Sequence, residues 1–267
     1  MSDGERTYQL RALSTVTPQP IMWLLPGRIP YGGITLLGGR PGQGKSQFAL
    51  ALAAMMTQVG VPVLLIGSED GMADTVKPRL MAAGADTALV HEFCVGQDGK
   101  EGIAVLPHDA PLLEHALRAT GAKLIVVDPV GGHLGEEINA NSDQSVRSAL
   151  LPLAKVCQAT GAAALLVMHP RKDKTSGSPL DWFGGSVGFG GLARSALLFG
   201  SLKEMGDESD ADDLRYLVHI KANGARLAAT LECKVLGAEV PIGDRVIHTS
   251  RVVVGEPRFD VGAEDLA

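Results

Sequence analysis

The sequence predicts an α/β fold with a mainly parallel sheet, helices on both of its faces and an antiparallel C-terminal extension. Short apolar runs, typical of fully buried strands, alternate with segments of helical periodicity up to about residue 168. A glycine-rich segment joins the first of these strands to the first long helix. After about residue 194, four further strands follow with short turns and no long helix between them.

The elements are predicted from apolar runs, helical periodicity and turn residues. Strands are expected at 34–38, 61–67, 88–95, 123–128 and 162–168 in the parallel part, and at 195–199, 214–221, 228–235 and 246–254 in the extension. Helices are expected at 46–59, 72–83, 109–119 and 142–160, with the last two closed by Gly121 and Gly161.

Composition favours one globular domain. Hydrophobic residues make up 45% of the 267 residues and charged residues 20%, which excludes global disorder. Aromatic residues are only 4%, so the core must be mostly aliphatic. We interpret residues 1–20 as a polar arm or linker, 21–255 as the domain, and 256–267 as a flexible acidic tail.

Charge and cysteine content narrow the class of protein further. A net charge of −6 excludes an extensive basic surface but leaves room for a local basic loop. The three cysteines, at 94, 157 and 233, lack the spacing of a metal site and are expected to be buried thiols in a reducing cytosol. No apolar run is long enough for a membrane span, and the first residues do not resemble a signal peptide.

The glycine-rich segment matches the phosphate-binding pattern G-x-x-x-x-G-K-[ST]. It comprises Gly39, Arg40, Pro41, Gly42, Gln43, Gly44, Lys45 and Ser46, and Gln47 follows in the helix. Glycine backbone lets several N–H groups converge on phosphate oxygens, and the helix N-terminus adds partial positive charge. Lys45 would contact the β- and γ-phosphates of ATP, and Ser46 would be a hydroxyl ligand of Mg²⁺. The alternative is a glycine-rich turn that carries Lys-Ser by chance, but the flanking strand and helix favour a nucleotide site.

Acidic and basic side chains follow three other predicted strands. Asp128 ends the run LIVVD, where a carboxylate can hold Mg²⁺ directly or through water. Glu69 follows the second strand and is the candidate base that orients the attacking water, with Asp70 as its competitor. His169 follows the strand at 162–168 and is a candidate contact of the γ-phosphate. The alternative for each is a capping or solvated side chain at a strand end.

The order GGRPGQGKS, SED, LIVVDP and MHPRKD resembles that of the RecA-like P-loop ATPases. Within them, the lead-in WLLPGRIPYGGITLLGGRPGQGKS and the segments ANSDQSVRSALLPLAK and GGSVGFGGLARSALLF are similar to the RepA-type hexameric replicative helicases and related plasmid and phage ATPases. The resemblance runs from about Trp23 to about Leu236.

This resemblance implies a RecA-like core that hydrolyses ATP with Mg²⁺ at subunit interfaces of a homo-oligomeric ring or filament. It places the general base at Glu69, the Mg²⁺ acid at Asp128 and the γ-phosphate sensor at His169. It also implies two loops that face single-stranded DNA, at about 131–147 and 171–188.

The second of these loops is the stronger candidate for a DNA contact. Its cations, Arg171, Lys172 and Lys174, can neutralise backbone phosphates without reading sequence, although solvated cations are an equal alternative. Trp182 and Phe183 could stack on a base, but we favour an anchoring role for them.

The first loop is a weaker candidate. Glu136 and Glu137 would repel phosphate, and only His133, Asn139 and Asn141 offer neutral polar contacts.

Relatives insert a basic finger from the neighbouring subunit after a late strand. Lys221 matches their usual lysine, but Asn223 stands where several relatives carry arginine. Arg226 is the other candidate for the finger, and a solvated hairpin is the alternative to both. Arg79 could stack on adenine as in the family, or lie on the helix surface.

These observations predict an oligomeric Mg·ATP-dependent motor, with a DNA helicase as the expected activity. The first alternative is a recombination ATPase of the RecA or annealing-helper type. The second is a regulatory ATPase on the same fold that does not bind DNA, which the acidic net charge mildly favours.

Overall fold

The computed structural model describes residues 8–97, 100–168, 187–202 and 213–266. Its strands, numbered in chain order, are β1 (Trp23–Leu25), β2 (Ile29–Pro30), β3 (Ile34–Gly38), β4 (Val63–Gly67), β5 (Val90–Glu92), β6 (Val95–Gln97), β7 (Lys100–Gly102), β8 (Leu124–Asp128), β9 (Ala163–Met168), β10 (Ser195–Gly200), β11 (Leu214–Ala222), β12 (Thr230–Ile242) and β13 (Arg245–Arg258). Its helices are α1 (Lys45–Gln58), α2 (Lys77–Ala82), α3 (Ala110–Thr120), α4 (Asp143–Thr160) and α5 (Val187–Leu192).

Nine of the described strands form one sheet in the order β13-β12-β11-β10-β3-β9-β8-β4-β5. The six strands from β10 to β5 run parallel, and β11, β12 and β13 continue the sheet antiparallel. The predicted fold class is therefore confirmed. One detail is wrong: β10, expected in the antiparallel extension, is parallel to β3. The short helix α5 precedes it, and six residues are too few for the periodicity to be recognised in the sequence.

Side chains of the parallel strands alternate between two apolar layers, as a sheet covered on both faces requires. On β3, Leu36 packs into the layer that contains α3 and α4, whereas Leu37 packs into the layer that contains α1 and α2. The edge strand β13 also packs against the second layer through Val252. The antiparallel extension thus folds over the same face as the helix that follows the glycine-rich loop.

The helix ends follow the predicted residues. The Ser142 side chain accepts a hydrogen bond from the Ser145 amide at the start of α4. Gly161 ends α4 and Gly121 ends α3, both in the left-handed region with φ of +69° and +73°. None of the helices in the described ranges combines the length and apolar character that a membrane span requires.

Two expectations about the C-terminal region and the cysteines are wrong. The segment after residue 255 is not a loose tail: Thr230 Oγ1 donates to the Val261 carbonyl at 2.7 Å, and Ala263 and Leu266 are buried. Its few apolar residues pack on the core, which the acidic composition of the segment conceals. Cys157 and Cys233 are buried thiols as expected, but Cys94 is exposed.

Candidate nucleotide site

The glycine-rich segment joins β3 to α1 as a tight loop against the end of β10. A Cβ atom on Gly39 would collide with the carbonyl oxygen of Phe199, so only glycine allows this close approach. Gly44 precedes α1 with φ of +92°, a conformation that favours glycine. The loop backbone therefore curls over the N-terminus of a 14-residue helix, which is the geometry of a phosphate-binding loop.

Lys45 is the first residue of α1 and lies inside the curl of the loop. Its side chain is buried, and Nζ donates to the carbonyl oxygen of Arg40 at 2.9 Å. Burial lowers the pKa of Lys45, and the carboxylates of Asp128 and Glu69 counteract this shift. An ammonium group in this position places its positive charge next to any anion that the loop amides bind.

Asp128 and Ser46 meet beside Lys45. The Ser46 hydroxyl forms a hydrogen bond with the Asp128 carboxylate. Burial raises the pKa of Asp128; the Ser46 hydrogen bond and Lys45 lower it, and the charges of Asp70 and Glu69 raise it again. The net upward direction means that burial and the neighbouring carboxylates outweigh the contacts that stabilise the charge of Asp128.

The donor set fits Mg²⁺. Ser46 and Asp128 offer the hydroxyl and carboxylate oxygens that this ion prefers, and Mg²⁺ usually completes its shell with water and phosphate oxygens. The described residues hold no group of three or more His, Cys, Asp or Glu side chains that could bind a metal ion by themselves.

Glu69 and Asp70 follow β4, which is not a direct neighbour of β3 because β9 and β8 lie between them. Glu69 nevertheless lines the same pocket as Ser46 and Asp128. Among the described residues it makes no hydrogen bond or ion pair, so its carboxylate is available. Asp70 instead accepts a 2.6 Å hydrogen bond from Arg79 Nη1, and the two form an ion pair. This difference favours Glu69 over Asp70 as the base.

Three contacts of the P-loop and of Gln47, the helix residue that follows it, were not predicted from the sequence. Gln43 accepts a hydrogen bond at its side-chain oxygen from the Ser201 amide at 2.9 Å, and Arg215 Nε donates to the Gln43 carbonyl at 3.1 Å. Gln47 reaches across to β13 and donates to Ser250 Oγ at 2.7 Å. Only the antiparallel pairing brings the start of β11 to this edge of the sheet, so no local signal in the sequence marks Arg215.

The two candidate finger residues have different surroundings. Lys221 Nζ donates to the carbonyl oxygens of Gly190 and Ala193, the latter at 2.7 Å, and burial lowers the pKa of Lys221. This ammonium is therefore engaged within its own chain. Arg226 is exposed and forms no hydrogen bond or ion pair with any residue the structure describes.

The loop that carries Arg226 lies far from the P-loop of the same chain. It follows Ala222, which pairs with Ser195 at the amino-terminal end of β10, and Ser195 in turn pairs with Thr35 near the start of β3. The P-loop follows the opposite end of β3. The five residues of β3 separate the two loops by about 17 Å of strand.

The predicted DNA loops are described only in part. His169, Arg171, Lys172, Lys174, Trp182 and Phe183 lie outside the described residues. In the first loop, His133 is not available for a polar contact with DNA, because it is 1% exposed and its Nδ1 donates to the Ala104 carbonyl at 2.8 Å. Its neighbour Glu137 pairs with His108 at 2.8 Å.

Comparison with known sequences agrees with this geometry. The AAA domain family matches residues 5–175. The RecA protein of Deinococcus radiodurans is 26% identical over 178 residues, which cover 63% of this chain and 46% of that protein. The DNA repair protein RadA of Halalkalibacterium halodurans is 25% identical over 158 residues, 58% of this chain and 32% of that protein. This chain thus spans less than half the length of these curated relatives.

Comparison with solved structures shows a RecA-like ATPase fold. A DnaB-like replicative helicase superposes with a TM-score of 0.60 at 14% identity, covering 84% of this chain and 63% of that protein. A second solved structure, an isolated ATPase domain, superposes with a TM-score of 0.58 at 14% identity, covering 76% of this chain and 81% of that domain. At this identity the likeness concerns the fold alone.

Proposed function

The chain belongs to the AAA domain family, and from this premise we propose that it is a Mg·ATP-dependent motor that works as a homo-oligomeric, hexameric ring on single-stranded DNA. The observation that carries the proposal is a division of the catalytic groups between two edges of the sheet. Lys45, Ser46, Asp128 and Glu69 gather at one edge, and an exposed arginine, Arg226, lies at the other.

The proposed reaction is the in-line attack of water on the γ-phosphorus of ATP, which breaks the bond to the β-phosphate oxygen and releases ADP and phosphate. Glu69 orients the water and accepts its proton. Lys45 and the loop amides bind the phosphate oxygens on which negative charge develops. Ser46 and Asp128 would hold Mg²⁺, which when bound neutralises charge on the β- and γ-phosphates.

The position of Arg226 supports the proposed oligomer. Its own P-loop is at the other end of the parallel strands, so Arg226 can complete only the site of another copy. A contact between two different edges of identical subunits is heterologous, and repeated contacts of this kind produce a ring or a filament. A hexameric ring is the arrangement that the resemblance to replicative helicases favours.

The DNA part of the proposal is supported by similarity and by one basic loop. The relatives named above are a RecA protein and a DNA repair protein, and one solved neighbour is a replicative helicase. We propose that Arg171, Lys172 and Lys174 bind the phosphates of single-stranded DNA without sequence preference. DNA unwinding during replication is the work that such a translocating ring would perform.

A second candidate function is a recombination ATPase of the RecA type, which would form a filament on DNA and use ATP to switch between states. The two named curated relatives favour this candidate over a regulatory ATPase that ignores DNA. Filament formation on single-stranded DNA without strand displacement would distinguish it from the helicase.

The test is steady-state ATP hydrolysis with and without single-stranded DNA, with Lys45→Ala as the inactive control. Strong stimulation by DNA that Lys172→Glu together with Lys174→Glu abolishes would support a DNA-coupled motor. Hydrolysis that DNA leaves unchanged would contradict both DNA functions and favour a regulatory ATPase.

A further inference from the structure

His219 is a buried histidine on β11 whose two ring nitrogens have different partners. The side chain is 4% exposed. Nδ1 accepts a hydrogen bond from the Ala228 amide at 3.0 Å, and Nε2 lies 3.1 Å from Ser195 Oγ. A nitrogen that accepts from a backbone amide carries no proton, so the proton of the neutral ring is on Nε2 and is donated to Ser195.

The partner of Nδ1 belongs to the loop that carries Arg226. This loop, residues 223–229, is called the finger loop below. At its start, the Asn223 amide donates to the Arg194 carbonyl at 2.8 Å. At its end, the His219 imidazole accepts from the Ala228 amide, and the buried Arg28 donates from its guanidinium to the carbonyl of Ala229.

The middle of the finger loop is held by none of these contacts. Residues 223–227 are exposed, and Leu227 is 57% exposed. The backbone on either side of Arg226 is therefore fixed by two anchors, one to the sheet at Asn223 and one to side chains beneath the loop at Ala228. Of the side-chain anchors, the imidazole of His219 binds the loop amide closest to Arg226.

We propose that His219 is a positioning residue for hydrolysis: its neutral imidazole fixes the finger loop so that Arg226 can enter the nucleotide site of the next subunit. This inference rests on the proposed function, because it assumes that Arg226 acts in a neighbouring site. In this proposal the effect of His219 passes through the backbone of the finger loop, and His219 itself is not a catalytic residue.

The surroundings of His219 keep it in the state that this role needs. Burial lowers the pKa of His219; the backbone of Lys221 opposes this shift, and the nearby guanidinium of Arg28 adds to it. A protonated ring would carry hydrogen on both nitrogens and could not accept from the Ala228 amide.

Two amide substitutions separate the functions of the two ring nitrogens. In His219→Asn, the side-chain oxygen can take the place of Nδ1 and accept from Ala228, while the contact to Ser195 is lost. In His219→Gln, the longer side chain can keep the contact at Ser195, while the acceptor for Ala228 is lost. Ser195→Ala is the matched control, since it removes the Nε2 partner without touching the loop.

We expect His219→Gln to lower kcat by about 10²-fold, the effect of displacing a catalytic group by about 1 Å, with little change in KM for ATP. His219→Asn and Ser195→Ala should stay close to the unchanged protein. Arg226→Ala should lower kcat at least as much as His219→Gln does.

Mixing experiments distinguish positioning from a folding defect. In a mixture of His219→Gln and Lys45→Ala subunits, some interfaces combine an intact P-loop from the first with an intact finger loop from the second. Hydrolysis should therefore exceed that of either variant alone. No recovery in the mixture, or equal losses in His219→Asn and His219→Gln, would overturn the role of His219. Full activity of Arg226→Ala would instead overturn the finger assignment itself, and the positioning role with it.

Discussion

The parallel strands end at two opposite sides of the sheet, which we call the carboxyl edge and the amino edge after the strand ends that lie there. Within one chain, the two edges differ in how many of the proposed catalytic groups they bring together. At the carboxyl edge, loop amides, Lys45, Ser46 and Asp128 are all within one compact site. At the amino edge, Arg226 stands on an anchored loop and has no partner among the described residues. One chain thus builds the phosphate-binding half of the proposed hydrolytic site, and in our proposal the exposed Arg226 completes the site of a second copy.

The largest effect is expected at the amino edge. Arg226→Ala should lower kcat by about 10³-fold or more, the contribution typical of an arginine supplied to a phosphoryl-transfer site. ATP binding should change little, because the P-loop of each chain stays intact. Steady-state kinetics measure both values, and Arg245→Ala, which removes another exposed arginine, is the control. Equal small effects of the two substitutions would mean that the amino edge has no part in hydrolysis.

The second-largest effect is expected at the carboxyl edge, and it distinguishes Glu69 from Asp70 as the general base. Glu69→Gln should lower kcat by about 10²–10⁴-fold, as expected when a general base is lost, while ATP binding is retained. Asp70→Asn should cost much less, because Asp70 is paired with Arg79. Single-turnover hydrolysis and binding of a fluorescent ATP analogue check this prediction. A greater loss in Asp70→Asn would assign the base to Asp70 instead.

A smaller effect is expected where the antiparallel extension supports the P-loop. Arg215→Ala removes the hydrogen bond to the Gln43 carbonyl and should raise KM for ATP by about tenfold, the equivalent of about 1.4 kcal/mol. Arg215→Lys should recover part of this loss. Arg251→Ala, on the same side of the sheet but bound to the Ala82 carbonyl, is the control. If both alanine variants keep the same KM, the extension does not stabilise the P-loop.

The smallest effect is expected on the stability of the fold. A substitution of Asp128 that abolishes hydrolysis should make the folded chain more stable. Because the folded pKa of Asp128 lies above its ordinary value, its charge destabilises the folded chain as pH rises through that range. Asp128→Asn should raise Tm of the nucleotide-free chain by about 2–4 °C, the shift that about 1 kcal/mol gives at this size, and abolish hydrolysis with Mg²⁺. Thermal unfolding at pH 7 measures the first effect, and a lowered Tm would contradict it.

Local sequence patterns were sufficient to predict where the P-loop and Asp128 lie in the sheet. The P-loop is a contiguous motif, and Asp128 follows a recognisable apolar strand, so sequence spacing alone placed both at one edge of a parallel sheet. The contact of Arg215 with the P-loop and the anchor of Ala228 on His219 depend on the antiparallel pairing of β11, and no local pattern encodes that pairing. Lys221 matched a family position, but its contacts within the chain became visible only in the structure.

Mixing two inactive variants tests most directly whether each hydrolytic site needs two subunits. Arg226→Ala contributes intact P-loops and Lys45→Ala contributes intact finger loops, so random mixing in equal amounts should form about a quarter of the interfaces complete. We predict that the mixture hydrolyses ATP at roughly that fraction of the rate of the unchanged protein, while each variant alone is inactive. A mixture no more active than its separate components would contradict a site shared between subunits.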